Sequence, residues 1–119
     1  MIALGGLLGA NVRYILGGWI ADRYGASFPY GTLVINVSGS FILGFFLTLI
    51  TERIVVHPYW RLFFAIGFLG AYTTFSTFSF ESLELLQGRA FFLALANVVG
   101  SVMLGLIAVF TGTILARLL

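Results

Sequence analysis

Thr32, Asn36 and Ser40 stand four residues apart, a stripe of hydroxyl and amide groups along one face of a helix that is otherwise apolar. Asn97 and Ser101 repeat the spacing, with Gly105 at the next step. Polar side chains at membrane depth are costly unless paired or wetted, so they face neighbouring helices or an aqueous path. Two readings stand: hydrogen bonding between helices, or weak donors that replace the hydration shell of a passing anion. A second constellation is the run Gly67 to Ser79, where Gly67, Gly70 and the Thr73-Thr74 pair weaken a helix in mid-span. Either the helix continues through them, or it breaks and frees carbonyl oxygens suited to a small cation. Phe75 and Phe78, three apart, share a face. Their rings serve packing or lipid contact, or turn positive edges toward an anion.

The charged residues are few. Arg13 lies inside the first apolar segment, where it snorkels or pairs with Glu81, or else draws anions into a vestibule. Glu81 and Glu84 read as the interfacial end of the third segment. The middle of every segment lacks an acid, which disfavours a proton-coupled carrier. There is no cysteine, and His57, beside Pro58, is the one histidine and reads as a solvated loop residue. Thiolate chemistry and an imidazole-built metal site are therefore excluded within one chain.

These groups need elements to hold them. Of 119 residues, 61% are hydrophobic and 8% charged, against about 25% charged in a soluble domain. A spanning helix takes ~20 apolar residues, so the chain reads as one transmembrane domain, residues 1–119, with four spans at about 2–21, 31–51, 60–86 and 89–117. The first carries no basic leader or cleavage pattern and reads as a retained span. Tyr24, Tyr30, Tyr59 and Trp60 fall at span ends, where amphipathic rings favour the headgroup layer. Gly5 with Gly9, Ser40 with Gly44, and Ser101 with Gly105 are spaced for close helix approach.

Four spans put Arg53, Arg61 and Arg117 on one side and Arg23 and Arg89 on the other. That near-tie predicts insertion in both orientations, with two opposed copies pairing. A net charge of +2 is too small and scattered for a nucleic-acid footprint.

The chain resembles the Fluc/CrcB fluoride channels over nearly its whole length. The resemblance rests on Gly5 to Tyr14, Gly31 to Phe41, Gly67 to Gly70 with Thr73-Thr74-Phe75-Ser76-Thr77-Phe78-Ser79, and Asn97 to Gly105. It implies an all-α membrane protein of four helices with a broken third helix, assembled as an antiparallel, dual-topology homodimer in the inner membrane of a prokaryotic cell. The implied function is passive, fluoride-selective export, not enzyme catalysis, with a structural sodium ion held by the backbone carbonyls of Gly70 and Thr73. Asn36, Phe75, Phe78 and Ser101 would line the ion path, beside Thr32, Ser40 and Asn97, with Arg13 and Glu81 in the vestibule. Asn97 stands where some members carry Tyr or His, and Gly105 where some carry a hydroxyl. Alternatives are a small dual-topology multidrug exporter, which needs a glutamate absent from the first span, and a non-conducting assembly subunit.

Overall fold

The computed structural model describes residues 1–119, and every regular element in it is helical. Helix α1, Ile2–Tyr24, stops at Gly25, whose φ of 83° lies where a glycine is at ease. Helix α2 begins at Tyr30 behind Pro29, runs as an α-helix to Thr48 and widens into a π-helical stretch, Leu49–Arg53. Helix α3 covers residues 58–72. It opens with one turn, Pro58–Trp60, continues as a π-helix over Arg61–Leu69, and ends in the turn Gly70–Tyr72. His57 Nδ1 accepts the Tyr59 N–H at 3.2 Å, so this histidine caps a helix start rather than standing idle in a loop.

Thr73 and Thr74 are extended, and helix α4, Phe75–Gln87, begins immediately after them. The third span is thus two helices. Helix α5, Phe91–Leu118, follows a tight turn in which Arg89 takes φ 60°.

Three stretches are long and apolar enough to cross a membrane: Tyr30–Arg53, Pro58–Gln87 and Phe91–Leu118. The expectation of four spans is met on length by α1 as well, at 23 residues. Its polarity sets it apart, because Asn11, Arg13, Asp22 and Arg23 all lie within it.

The helices meet through small residues. A Cβ on Gly5 would overlap the Phe63 carbonyl, and one on Gly9 the Phe68 carbonyl, which brings α1 backbone-close to α3. Helix α2 meets α5 in the same manner, Gly44 against the Val109 carbonyl and Gly112 against that of Phe41. Without a hydrophobic drive between helices in lipid, such close backbone contact supplies the packing attraction. Gly105 is looser: a Cβ there would sit 3.9 Å from Ser40 Oγ.

Ile35, Leu69 and Tyr72 form the small core, with Leu16, Ile42, Leu43, Phe64 and Phe68 around it. The rings of Phe64, Phe68 and Tyr72 stack in a column, 5.5 and 5.9 Å between centroids. Only 16 of the 119 residues are buried, and large apolar side chains cover the outside. The longest dimension, 50 Å, exceeds the ~40–45 Å of a bilayer with its headgroups.

At one end of the bundle Arg117 grips Glu52 with two hydrogen bonds of 3.0 Å, and Arg53 donates to the Arg117 carbonyl. Arg53 and Arg117 therefore share an end, the arrangement that an even number of crossings between them requires.

Candidate functional site

The break between α3 and α4 organises most of the polar residues. Thr73 directs both its N–H and its hydroxyl to the Leu69 carbonyl, at 3.0 and 2.9 Å. Continuing the helix would send the Thr74 N–H to the Gly70 carbonyl. Instead it goes to Asn36 Oδ1 at 2.8 Å, while Asn36 Nδ2 donates to the Thr74 carbonyl at 3.0 Å. The primary amide of Asn36 thus pairs with both groups of Thr74, replacing the ladder bonds that the break gives up. Gly70, exposed on the chain's surface, keeps a carbonyl without its helical partner.

Arg13 supplies a second clamp. Its Nε donates to the Ala71 carbonyl at 3.1 Å, one residue before the end of α3. Pairing with Glu81 was one reading of this arginine, but Glu81 instead accepts from the Thr32 hydroxyl, which ties α2 to α4. Thr74 completes the joint by accepting the Thr77 N–H, capping α4.

Two cavities open on the joint. One, of about 280 Å³, is lined by Asn36, Ser40, Gly70, Thr73, Thr74 and Phe75 among others. The second, of about 460 Å³, gathers Arg13, Thr32, Thr74, Thr77, Glu81 and Glu84. Thr74 lines both, while Asn36 lines the smaller one; the wider one mixes a guanidinium with two carboxylates. Ser40, the third member of the α2 stripe, spends its hydroxyl on the Asn36 carbonyl at 2.7 Å. Phe75 and Phe78 lie 5.8 Å apart between ring centroids, tilted by 47°. Phe75 is 80% exposed, a large ring held out from the chain at the mouth of the smaller cavity.

The stripe on α5 is placed elsewhere. Asn97 is buried between α4 and α5, where Nδ2 donates to Ser82 Oγ at 2.9 Å and Oδ1 accepts from Ser101 at 3.4 Å. Helix α5 also packs along α2, and a Cβ on Gly105, the next step of its stripe, would sit 3.9 Å from Ser40 Oγ.

Several residues in this network gave little signal in the sequence. Ser82 follows Ser76 and Ser79 at three-residue spacing, and nothing in its type marks it out from them. Tyr72 is buried with its hydroxyl 2.8 Å from Ser38 Oγ, behind the break. Ser38 is two positions off the Thr32-Asn36-Ser40 stripe, so helical spacing alone does not find it.

A family model described as CrcB-like protein, Camphor Resistance (CrcB), matches residues 1–113. The chain belongs to the CrcB family. CrcB relatives align over nearly all of it. A protein of Solibacter usitatus named fluoride-specific ion channel FluC is 54% identical over 98% of this chain and 96% of its own length. Proteins of the same name from a Synechococcus strain and a Sulfurihydrogenibium strain are 46% and 44% identical. They cover 98% and 100% of this chain, and 90% and 96% of their own. The chain thus belongs to a family whose named relatives are channels and not enzymes. The joint at Thr73 and Thr74, with Asn36 and Arg13 on it, lies within the matched residues.

Proposed function

We propose that this chain is one half of a fluoride-selective channel, through which fluoride leaves the cell down its own gradient. The observation that carries the reading is the Asn36 clamp on the α3–α4 break, in a family whose named relatives are fluoride channels. Fluoride is small and strongly hydrated, so its path must be narrow and offer many weak contacts. Asn36, Thr32 and Ser40 bring amide and hydroxyl groups, and Phe75 and Phe78 bring ring edges. Arg13 and Glu81 stand in the wider cavity as the vestibule.

The partner is a second copy of the chain in the opposite orientation, in the cell membrane. Phe75, held out at 80% exposure, and the largely apolar exterior support an arrangement in which a second subunit covers part of this surface. The near-even split of arginines supports insertion both ways up.

Gly70 and Thr73 would hold a sodium ion through their backbone carbonyls. The donor set fits: neutral, hard oxygens, one of them deprived of its helical N–H and exposed beside a cavity. A bound cation supplies fixed positive charge that offsets the carbonyls converging at the joint. Two carbonyls from one chain make half of such a shell, and an opposed copy supplies the rest.

Proteoliposomes loaded with potassium fluoride and followed with a fluoride electrode test the reading. Rapid fluoride efflux with chloride retained is the expected result; no efflux, or chloride leaving as fast, refutes it.

A further inference from the structure

Helix α4 carries Phe75 and Phe78, yet it has almost no anchor in the core. Among its residues Phe75–Gln87 the one buried side chain is Ser82, and no apolar side chain of the helix is buried. The orientation of α4 is therefore held by polar contacts, and the most deeply buried of them is a directed chain. Ser101 Oγ donates to Asn97 Oδ1, Asn97 Nδ2 donates to Ser82 Oγ, and Ser82 Oγ donates to the Phe78 carbonyl at 2.8 Å. Asn97 is 2% exposed and Ser82 7%. Both ends of the Asn97 amide are engaged, and the Ser82 hydroxyl has its one proton committed to Phe78.

We infer that Ser82 and Asn97 are positioning residues: together they fix the rotation of α4 against α5 and so set where the Phe78 ring stands in the ion path. This rests on the fluoride-channel reading for the meaning of Phe78, but the brace itself is a property of the helix pair. Asn97 then acts through Ser82 and not by touching the ion. The hydroxyl of Ser101, whose proton is turned toward Asn97, belongs to the same brace. The Ser82 bond returns to its own helix four residues back, at the Phe78 carbonyl itself. The position of that ring is thus tied to the hydroxyl proton and not only to the bulk of residue 82.

The test uses the full chain in proteoliposomes, with Ser82→Ala, Asn97→Ala, the double variant and Ser82→Thr. If the residues act as one brace, each alanine lowers fluoride efflux on the order of tenfold, and the double variant is no slower than either single one. Ser82→Thr, which keeps the hydroxyl, restores efflux. Losses that multiply in the double variant overturn the inference, as does a loss with Asn97→Ala but none with Ser82→Ala. A second measurement does not depend on transport: hydrogen exchange of the amides in Phe75–Gln87. Faster exchange there in Ser82→Ala, with the α2 amides unchanged, supports the brace; unchanged exchange in α4 counts against it. If the unaltered protein passes no fluoride, the channel reading fails, and the exchange measurement still decides whether the brace exists.

Discussion

Asn36 holds the peptide groups of Thr74 at two points, giving a hydrogen to the carbonyl at 3.0 Å and taking one from the N–H at 2.8 Å. A side-chain amide here does the work of a helical turn. Asn36, the middle member of the α2 stripe, is thus the means by which a non-helical backbone persists between two helices, and any contact with an ion comes in addition to that duty.

Asn36→Ala removes both bonds and leaves two backbone groups of Thr74 unpartnered by protein. It should destabilise the chain by about 1–3 kcal/mol and reduce fluoride efflux at least tenfold. Asn36→Asp keeps the acceptor but loses the donor, so its stability should fall between the two. Thermal unfolding in detergent, beside electrode traces, checks the order; an aspartate variant as weak as alanine contradicts it.

Phe75 is mostly exposed, so its ring contributes little to the fold of one chain. Phe75→Ile should leave stability nearly unchanged while efflux drops sharply. Phe78→Ile, at a half-buried site, should lower efflux with some loss of stability while dimers still form. Size-exclusion chromatography and efflux, measured on the same preparations, separate these effects, and undiminished efflux removes the ring from the path.

Gly44 and Gly112 form the α2–α5 seam, where an added methyl would meet backbone and not a flexible side chain. Gly44→Ala and Gly112→Ala should each cost about 1–3 kcal/mol or more. Gly18→Ala, with nothing within 4 Å of the new methyl, is the control and should be neutral. Melting curves that rank Gly18→Ala with the seam variants would show the seam to be misplaced.

Exchanging sodium for N-methylglucamine throughout purification should lower the protein's melting temperature, if Gly70 and Thr73 hold the ion. The proposed ligands are backbone carbonyls, so Thr73→Ser should keep this sodium dependence. A melting temperature indifferent to the cation argues against the site.

The arginine near-tie can be tipped. With Arg23→Gln and Arg89→Gln, positive charge remains mainly at the end shared by Arg53 and Arg117, and one orientation should dominate. The chain has no native cysteine, so a single cysteine introduced in the loop after Arg53 reports orientation through its labelling by an impermeant maleimide. Labelling from both faces before the change and from one face after it is the expected outcome.

How far the sequence reached depended on whether a signal was local. The interruption of the third span was legible because Gly70 and the Thr73-Thr74 pair weaken a helix by themselves. So was the packing role of Gly5, Gly9 and Gly44, since small residues at four-residue spacing have a direct steric meaning. The π-helical stretch Arg61–Leu69 was not legible, because a shift of hydrogen-bond offset leaves the hydropathy pattern intact. The partners of the polar residues were hidden for a different reason. Arg13 reaches the Ala71 carbonyl rather than Glu81, and Asn36 reaches the Thr74 peptide. A backbone group has no letter of its own, so nothing in the residue types announces it as a partner. Ser82 escaped because its significance lies in being the one buried side chain of its helix.

Tyr72 ends one helix and Phe75 starts the next, with only Thr73 and Thr74 between. Aligned peptide dipoles give the carbonyl end of the first a partial negative charge and the amide end of the second a partial positive one. A gap two residues long is therefore more negative at its carbonyl end and more positive at its amide end. It carries this polarity with a single ionised side chain, Arg13, hydrogen-bonded at its edge. A field built from peptide groups neither gains nor loses protons, so this part of the joint's charge is fixed by the fold alone.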